Sequence, residues 1–412
     1  MQYTSLKYTL NSSLAILLSI AAFVVPASSV NYPLALYISA VFLVISSFLF
    51  LFYRTEREPF SRLEIIMLVS WLVYPVVTAL DLLLRVDWIW TEFQEPSRFL
   101  LVLPIFLMAR RVGFSQDILK WGVFVGALAA SGWGYYQKIE LGDYRAGGGT
   151  SGLIATFGDV SLILGVLTIA LFQPQWRLQK RWLLLALFGL FCGLFASLAS
   201  GSKGGWISIP FLIWVMVDLT DNPTYKKRFV LLAGLVLVAF LVWLFVPYIA
   251  DRVNVIPAAI YEYFVNKKIL DPSVGQRLWL WHTAALIFWE NPLFGTGPGS
   301  FNIQRIALVE AGMIPSIPVD PNMGPHSQLL NSLYEQGVVG VLMVYSIYVA
   351  FIFHCRSHLI NNKPLAISGI LLAVGFIDFG MAEVIWDINN AGVFFTVMMA
   401  LIAGKLSHAV KS

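Results

Sequence analysis

The stretch Pro325-His326-Ser327-Gln328-Leu329-Leu330-Asn331-Ser332-Leu333 opens a run that turns strongly apolar beyond Gly337-Val338-Val339-Gly340, and it closes a polar interruption that begins near Pro247. Around that interruption the chain is hydrophobic almost throughout. Of 412 residues, 58% are hydrophobic and 12% charged, and the mean hydropathy is +0.76. Such values exclude a soluble globular domain and predict an all-α polytopic membrane protein. A membrane protein that ends a large extramembrane segment on a titratable histidine points to chemistry at that surface.

Apolar runs of about 20 residues, enough to cross roughly 30 Å of hydrocarbon, recur about twelve times. Their centres fall near Ser19, Leu43, Leu72, Phe106, Leu128, Leu164, Phe188, Ile213, Val236, Met343, Leu372 and Thr396. Short loops rich in Lys and Arg stay cytoplasmic. With both termini inside, one set of loops holds Lys7, Arg54, Arg57, Arg62, Arg110, Arg111, Lys120, Arg177, Lys180, Arg181, Lys226, Lys227, Arg228, Arg356, Lys363, Lys405 and Lys411, most of the 27 basic residues. The opposite short loops hold only Arg85, Arg98, Lys138, Arg145 and Lys203. The long segment therefore faces outward, between spans nine and ten. Asn11 to Val30 also fits a signal peptide, with Pro26-Ala27-Ser28-Ser29 as a weak cleavage site. Its removal would break the even alternation of charge. Cys192 and Cys355 supply neither a disulfide framework nor a metal cluster. One integral membrane domain over 1–412 is expected, with 247–325 as an outward elaboration within it.

Inside that loop, Ser273 and Gln276 have the spacing that caps a helix start. Arg277 then lies in the first turn of a helix running to Glu290 and stopping at Asn291-Pro292. Trp279, Trp281, Phe288 and Trp289 suit a helix lying among headgroups. A guanidinium beside exposed N–H groups can hold a phosphate or pyrophosphate; the plainer reading pairs Arg277 with lipid headgroups. Gly295-Thr296-Gly297-Pro298-Gly299 follows no strand, so it is not a nucleotide loop. Gly201-Ser202-Lys203-Gly204-Gly205 lacks P-loop spacing, but a glycine-rich turn with an ammonium can converge on an anion. A snorkelling lysine is the alternative.

At about 100° per residue, Leu330, Leu333, Gly337 and Gly340 fall within roughly 40° of His326. This predicts a helix that starts at His326 and carries a small-residue seam below it. A helix start disfavours imidazolium and leaves a neutral ring able to act as a base; a satisfied structural histidine is the competing reading. Glu383, Trp386 and Asp387, at the outer surface before the last span, suit orienting that ring or holding sugar hydroxyls. Arg145, in the loop Gly142-Asp143-Tyr144-Arg145-Ala146-Gly147-Gly148-Gly149, is a further anion candidate.

The pattern His326-Ser327, nine residues, then Gly337-Val338-Val339-Gly340 resembles the H-[NSQ]-x9-G-x-x-G signature of the O-antigen ligase family, which also marks some protein O-oligosaccharyltransferases. Ser200-Gly201-Ser202-Lys203-Gly204-Gly205-Trp206 and the segment from Gln276-Arg277 through Asn291-Pro292-Leu293-Phe294-Gly295-Thr296-Gly297-Pro298-Gly299 agree with it. The resemblance implies a GT-C-like membrane glycosyltransferase of lipopolysaccharide biosynthesis in a bacterial inner membrane, with a periplasmic active site. Its partners would be an undecaprenyl-pyrophosphate-linked glycan, the lipid A core oligosaccharide and membrane lipids, with no nucleic acid. The family's base maps to His326 and its loop arginine to Arg277; where it usually has another arginine, this chain has Lys203, which keeps the charge and loses bidentate geometry. Its acidic residue near the last span maps to Asp387, Glu383 or Asp378.

The implied reaction is an inverting transfer in which His326 takes the acceptor proton, while Arg277, Lys203 and also Arg145 or Arg252 stabilise the pyrophosphate. The outward segments hold no D-x-D motif, so no metal and no other cofactor is expected. An O-antigen polymerase or a protein O-oligosaccharyltransferase would share the donor. A twelve-span secondary transporter, with Asp81 and Asp159 as midplane carboxylates, is the reading from a different class.

Overall fold

The computed structural model describes the chain except residues 1, 52–58, 86–89, 150–153, 203, 221–223, 246, 267, 270–273, 318–319, 321–322 and 410–412. The described residues form sixteen α-helices and no strand. In chain order these are α1 (Gln2–Ser28), α2 (Pro33–Leu51), α3 (Arg62–Leu84), α4 (Trp90–Val112), α5 (Gln116–Tyr135), α6 (Ile154–Leu171), α7 (Gln173–Leu178) and α8 (Lys180–Ser200). They continue with α9 (Ile209–Met216), α10 (Tyr225–Phe245), α11 (Pro247–Phe264), α12 (Val274–Glu290), α13 (Phe301–Glu310), α14 (Gln328–Ser357), α15 (Lys363–Ala382) and α16 (Asn389–Ala409).

Eight of these helices, α2, α3, α6, α8, α10, α14, α15 and α16, are long and apolar enough to cross a membrane. This is a multi-pass membrane protein. The remaining expected spans fall on α1, α4, α5 and α9. Of these, α9 has only eight residues, and α4 carries Glu95 and Arg98 buried inside the protein. Polar groups that face protein rather than lipid escape a hydropathy count. The centre of the bundle is built from α6, α15 and α16, almost entirely buried, whereas α2 and α10 turn apolar side chains outward, as lipid-facing helices do. Between α6 and α8 the contact is set by small residues: a side chain at Gly193 would meet the Ser161 carbonyl oxygen at 2.4 Å, so only glycine allows this approach.

Residues 247–325 contribute α11, α12 and α13 around a second cluster that includes Tyr263, Trp279, Ile287, Phe301, Leu308 and Tyr334 of α14. Helix α12 ends at Glu290, as the Asn291-Pro292 signal requires; the Ser273 cap lies outside the described residues. Trp279 is not a headgroup anchor. It is buried, and its indole N–H donates to the Pro315 carbonyl at 3.0 Å, while Trp281 and Trp289 remain exposed.

The helix below His326 departs from the expected straight seam. It begins at Gln328 and breaks at Gly337, where φ is 65° and ψ is −152°. A break frees backbone groups that hydrocarbon cannot satisfy. The segment 292–297 supplies the partners: Thr296 and Gly297 donate to the carbonyls of Tyr334 and Glu335 at 2.8 and 2.9 Å. Val338 and Val339 donate to Pro292 and Leu293 at 2.9 and 3.3 Å. Gly337 therefore admits a loop, not a neighbouring helix. Arg85 clasps the same loop through the carbonyls of Phe294 and Gly295 at 3.3 and 3.2 Å, and pairs with Asp81 at 2.8 Å.

Candidate functional site

Four chain segments meet at one end of the bundle: the start of α12, the end of α15, the approach to α14 and the turn after α8. His326 precedes the α14 N-cap, Ser327, whose hydroxyl accepts from the Leu330 N–H at 3.5 Å. The histidine is thus outside the helix, not its first residue. Among the described residues it alone, apart from glycines, has positive φ, 47°. Such a conformation costs free energy and persists where surrounding contacts impose it.

Those contacts are specific. His326 Nδ1 lies 2.7 Å from Glu383 Oε2, and the other oxygen of that carboxylate, Oε1, lies 3.5 Å from Arg277 Nη2. Glu383 joins the two residues because α15 ends there: it has extended backbone (φ −149°, ψ 158°), which turns its side chain out of the helix. The Glu383 side chain is 17% exposed, against 35% for His326 and 39% for Arg277. The carboxylate is held inside while the imidazole and the guanidinium reach the surface. An ionised carboxylate only accepts, so in the neutral ring the tautomer that fits this contact has the proton on Nδ1 and the lone pair on Nε2.

Behind His326, Gln328 is buried and bridges two elements. Its amide N–H donates to Glu95 Oε1 at 3.4 Å and its carbonyl accepts from the Trp386 N–H at 3.3 Å. Nothing in the sequence pattern marks this residue, since glutamine beside an apolar run reads as a boundary.

The three acidic candidates separate cleanly. Glu383 takes His326, and Asp378 accepts from the Ser208 N–H at 2.7 Å ahead of α9. Asp387 stands beside Glu95, in a group with Glu92 and Glu335, and Arg98 lies close to it. Trp386 is a correction to the sequence reading. Only 1% exposed, its ring packs among Phe99, Tyr348 and Phe395 in the core, where no sugar reaches it.

The turn after α8 rests against the same corner. A side chain at Gly204 would come within 2.8 Å of Ala382 Cβ, the residue before Glu383. Ser202 Oγ and Gly205 N–H both donate to Asp159 Oδ1, at 3.3 and 3.2 Å. Lys203 itself lies outside the described residues, as does the side chain of Arg252. Arg145 donates from Nε to the Ser200 carbonyl at 2.7 Å and borders a pocket of about 440 Å³ with Gln137, Asp143 and Tyr144. Its loop is tied down. Gln137 Oε1 accepts from the N–H groups of Gly147 and Gly148 at 3.0 and 2.8 Å. The carboxylates of the transport reading are both engaged, Asp81 by Arg85 and Asp159 by the turn.

A family model described as O-antigen ligase matches residues 188–345. That stretch, less than half of the chain, is similar to the O-antigen ligase family. The matched stretch includes Lys203, Arg252, Arg277, His326 and Gly337; Arg145, Glu383 and Asp387 lie beyond it, and contact geometry connects Glu383 to it. An uncharacterized protein of Haemophilus influenzae is 23% identical over 356 residues, covering 84% of this chain and 88% of that one.

Proposed function

We propose that the protein is an O-antigen ligase, transferring a glycan from undecaprenyl pyrophosphate to a sugar hydroxyl of the lipid A core at the periplasmic face of the inner membrane. The observation that carries this reading is the line Arg277, Glu383, His326, with a cation and a base on opposite oxygens of one carboxylate. Nε2 of His326 takes the proton of the acceptor hydroxyl as its oxygen bonds to the anomeric carbon. The bond from that carbon to the pyrophosphate oxygen breaks, and the configuration inverts. Glu383 holds the ring in the required tautomer and offsets the charge the imidazole gains. Arg277 meets the departing pyrophosphate, with Lys203 contributing from the neighbouring turn, and Arg145 or Arg252 as further cations. Cationic side chains serve the leaving group in this reading, without a metal.

An O-antigen polymerase or protein O-oligosaccharyltransferase would use the same donor, and the acceptor separates them. In a strain lacking the gene, glycosylated lipid A core should vanish from a gel while polymerised, carrier-linked glycan accumulates. Loss of polymer with single repeats still ligated would indicate a polymerase instead.

A further inference from the structure

We infer that Asp159 is a positioning residue for the pyrophosphate-binding turn, an inference that rests on the proposed ligase reading. Asp159 sits in α6, a span buried from Thr156 to Leu171, and is itself 1% exposed. A carboxylate in such a place needs a compensating role.

Its hydrogen bonds supply one. A single oxygen, Oδ1, accepts from Ser202 Oγ and from the Gly205 N–H, the two sides of Lys203 in the sequence. The surroundings are shaped for this grip. A side chain at Gly205 would lie 2.7 Å from Asp159 Oδ1, and one at Gly158 would lie 2.2 Å from Ser200 Oγ and 3.0 Å from Ser202 Cβ. Ser200 Oγ in turn accepts from the Ser202 N–H at 3.0 Å, and Asp378 holds the far end of the turn at Ser208. Two carboxylates from two central helices thus set a glycine-rich turn whose own flexibility would otherwise be lost on each donor-binding event. Asp159 Oδ2 is buried and has no hydrogen-bond partner among the described residues. An apolar side chain would fill a span with less cost but could not accept from Ser202 and Gly205, so the buried acceptor oxygen is explained by the turn it holds.

The test uses the full-length protein in lipid nanodiscs with an undecaprenyl-pyrophosphate-linked glycan and lipid A core. Asp159→Ala should raise the donor KM about tenfold or more, the scale of losing hydrogen bonds to a charged acceptor, and leave the acceptor KM unchanged. Asp159→Asn keeps an acceptor oxygen and should stay within about threefold of wild type, and Ser202→Ala should fall between the two. Because both act through one bond, Ser202→Ala should add little on top of Asp159→Ala. A wild-type donor KM in Asp159→Ala, or equal rises for donor and acceptor, would overturn the inference. If Asp159→Ala fails to fold, an unchanged donor KM in Ser202→Ala overturns it as well. Absence of transfer by wild type would count against the ligase reading alone, and donor affinity measured directly on the same variants would still decide the role of Asp159.

Discussion

Glu383 accepts from His326 Nδ1 at 2.7 Å, so the tautomer of the candidate base is set by an acid 57 residues away at the end of another span. Replacing that acid by glutamine removes the charge and lets the ring take either tautomer. Glu383→Gln should lower kcat by about 100-fold, within the range for general-base assistance, with little change in acceptor KM. Steady-state kinetics on reconstituted protein checks this.

Arg277 stands 3.5 Å from the other oxygen of Glu383, in the first turn of α12. A lysine keeps the charge and loses the planar fork that matches a phosphate. Arg277→Lys should raise the donor KM about tenfold, and Arg277→Ala should raise it further and lower kcat. Equal donor KM in all three proteins would show that the arginine serves only to hold Glu383.

Gly337 combines positive φ with a backbone neighbour: an added Cβ would lie 2.4 Å from the Leu293 carbonyl carbon. Gly337→Ala should therefore destabilise the protein by about 2 kcal/mol or more, from backbone strain and displacement of the inserted loop. Thermal unfolding in detergent, compared with Gly132→Ala, where no heavy atom lies within 4 Å, reads the difference.

Arg85 joins the end of α3 to the Phe294 and Gly295 carbonyls. Arg85→Ala should speed amide exchange across 293–297 while exchange in the centre of α6 stays as in wild type. Unchanged exchange in the loop would mean that the bonds at the helix break hold it unaided.

Some of this was legible in the residues and some was not. Apolar runs and charge placement announce a helical membrane protein, and Pro292 marks the end of α12 correctly. His326 and Arg277 stand out because they are polar groups beside an apolar run and in a capped turn, and the structure places both on Glu383. That Glu383, and not Asp387 or Asp378, meets His326 is visible only in three dimensions, since the three differ in which segment lies against them. The seam under His326 failed for a local reason: periodicity assumes continuous helix, and Gly337 interrupts it with paired loop backbone that no 3.6-residue pattern encodes. Trp386 misled because aromatic residues near a span end suit an interface as well as a core, and packing alone separates the two.

The proposed leaving-group chemistry relies on cationic side chains, so transfer should persist in EDTA. Complete loss of transfer on chelation, restored by added divalent cation, would contradict it.

The central claim is tested most directly by transfer with purified wild-type and His326→Ala protein, using an undecaprenyl-pyrophosphate-linked glycan, lipid A core as acceptor and linkage analysis of the product. Wild type should form a new glycosidic bond of inverted anomeric configuration, and His326→Ala, folded and membrane-inserted, should form essentially none. Product at the wild-type rate from His326→Ala, or retention of configuration, would contradict it.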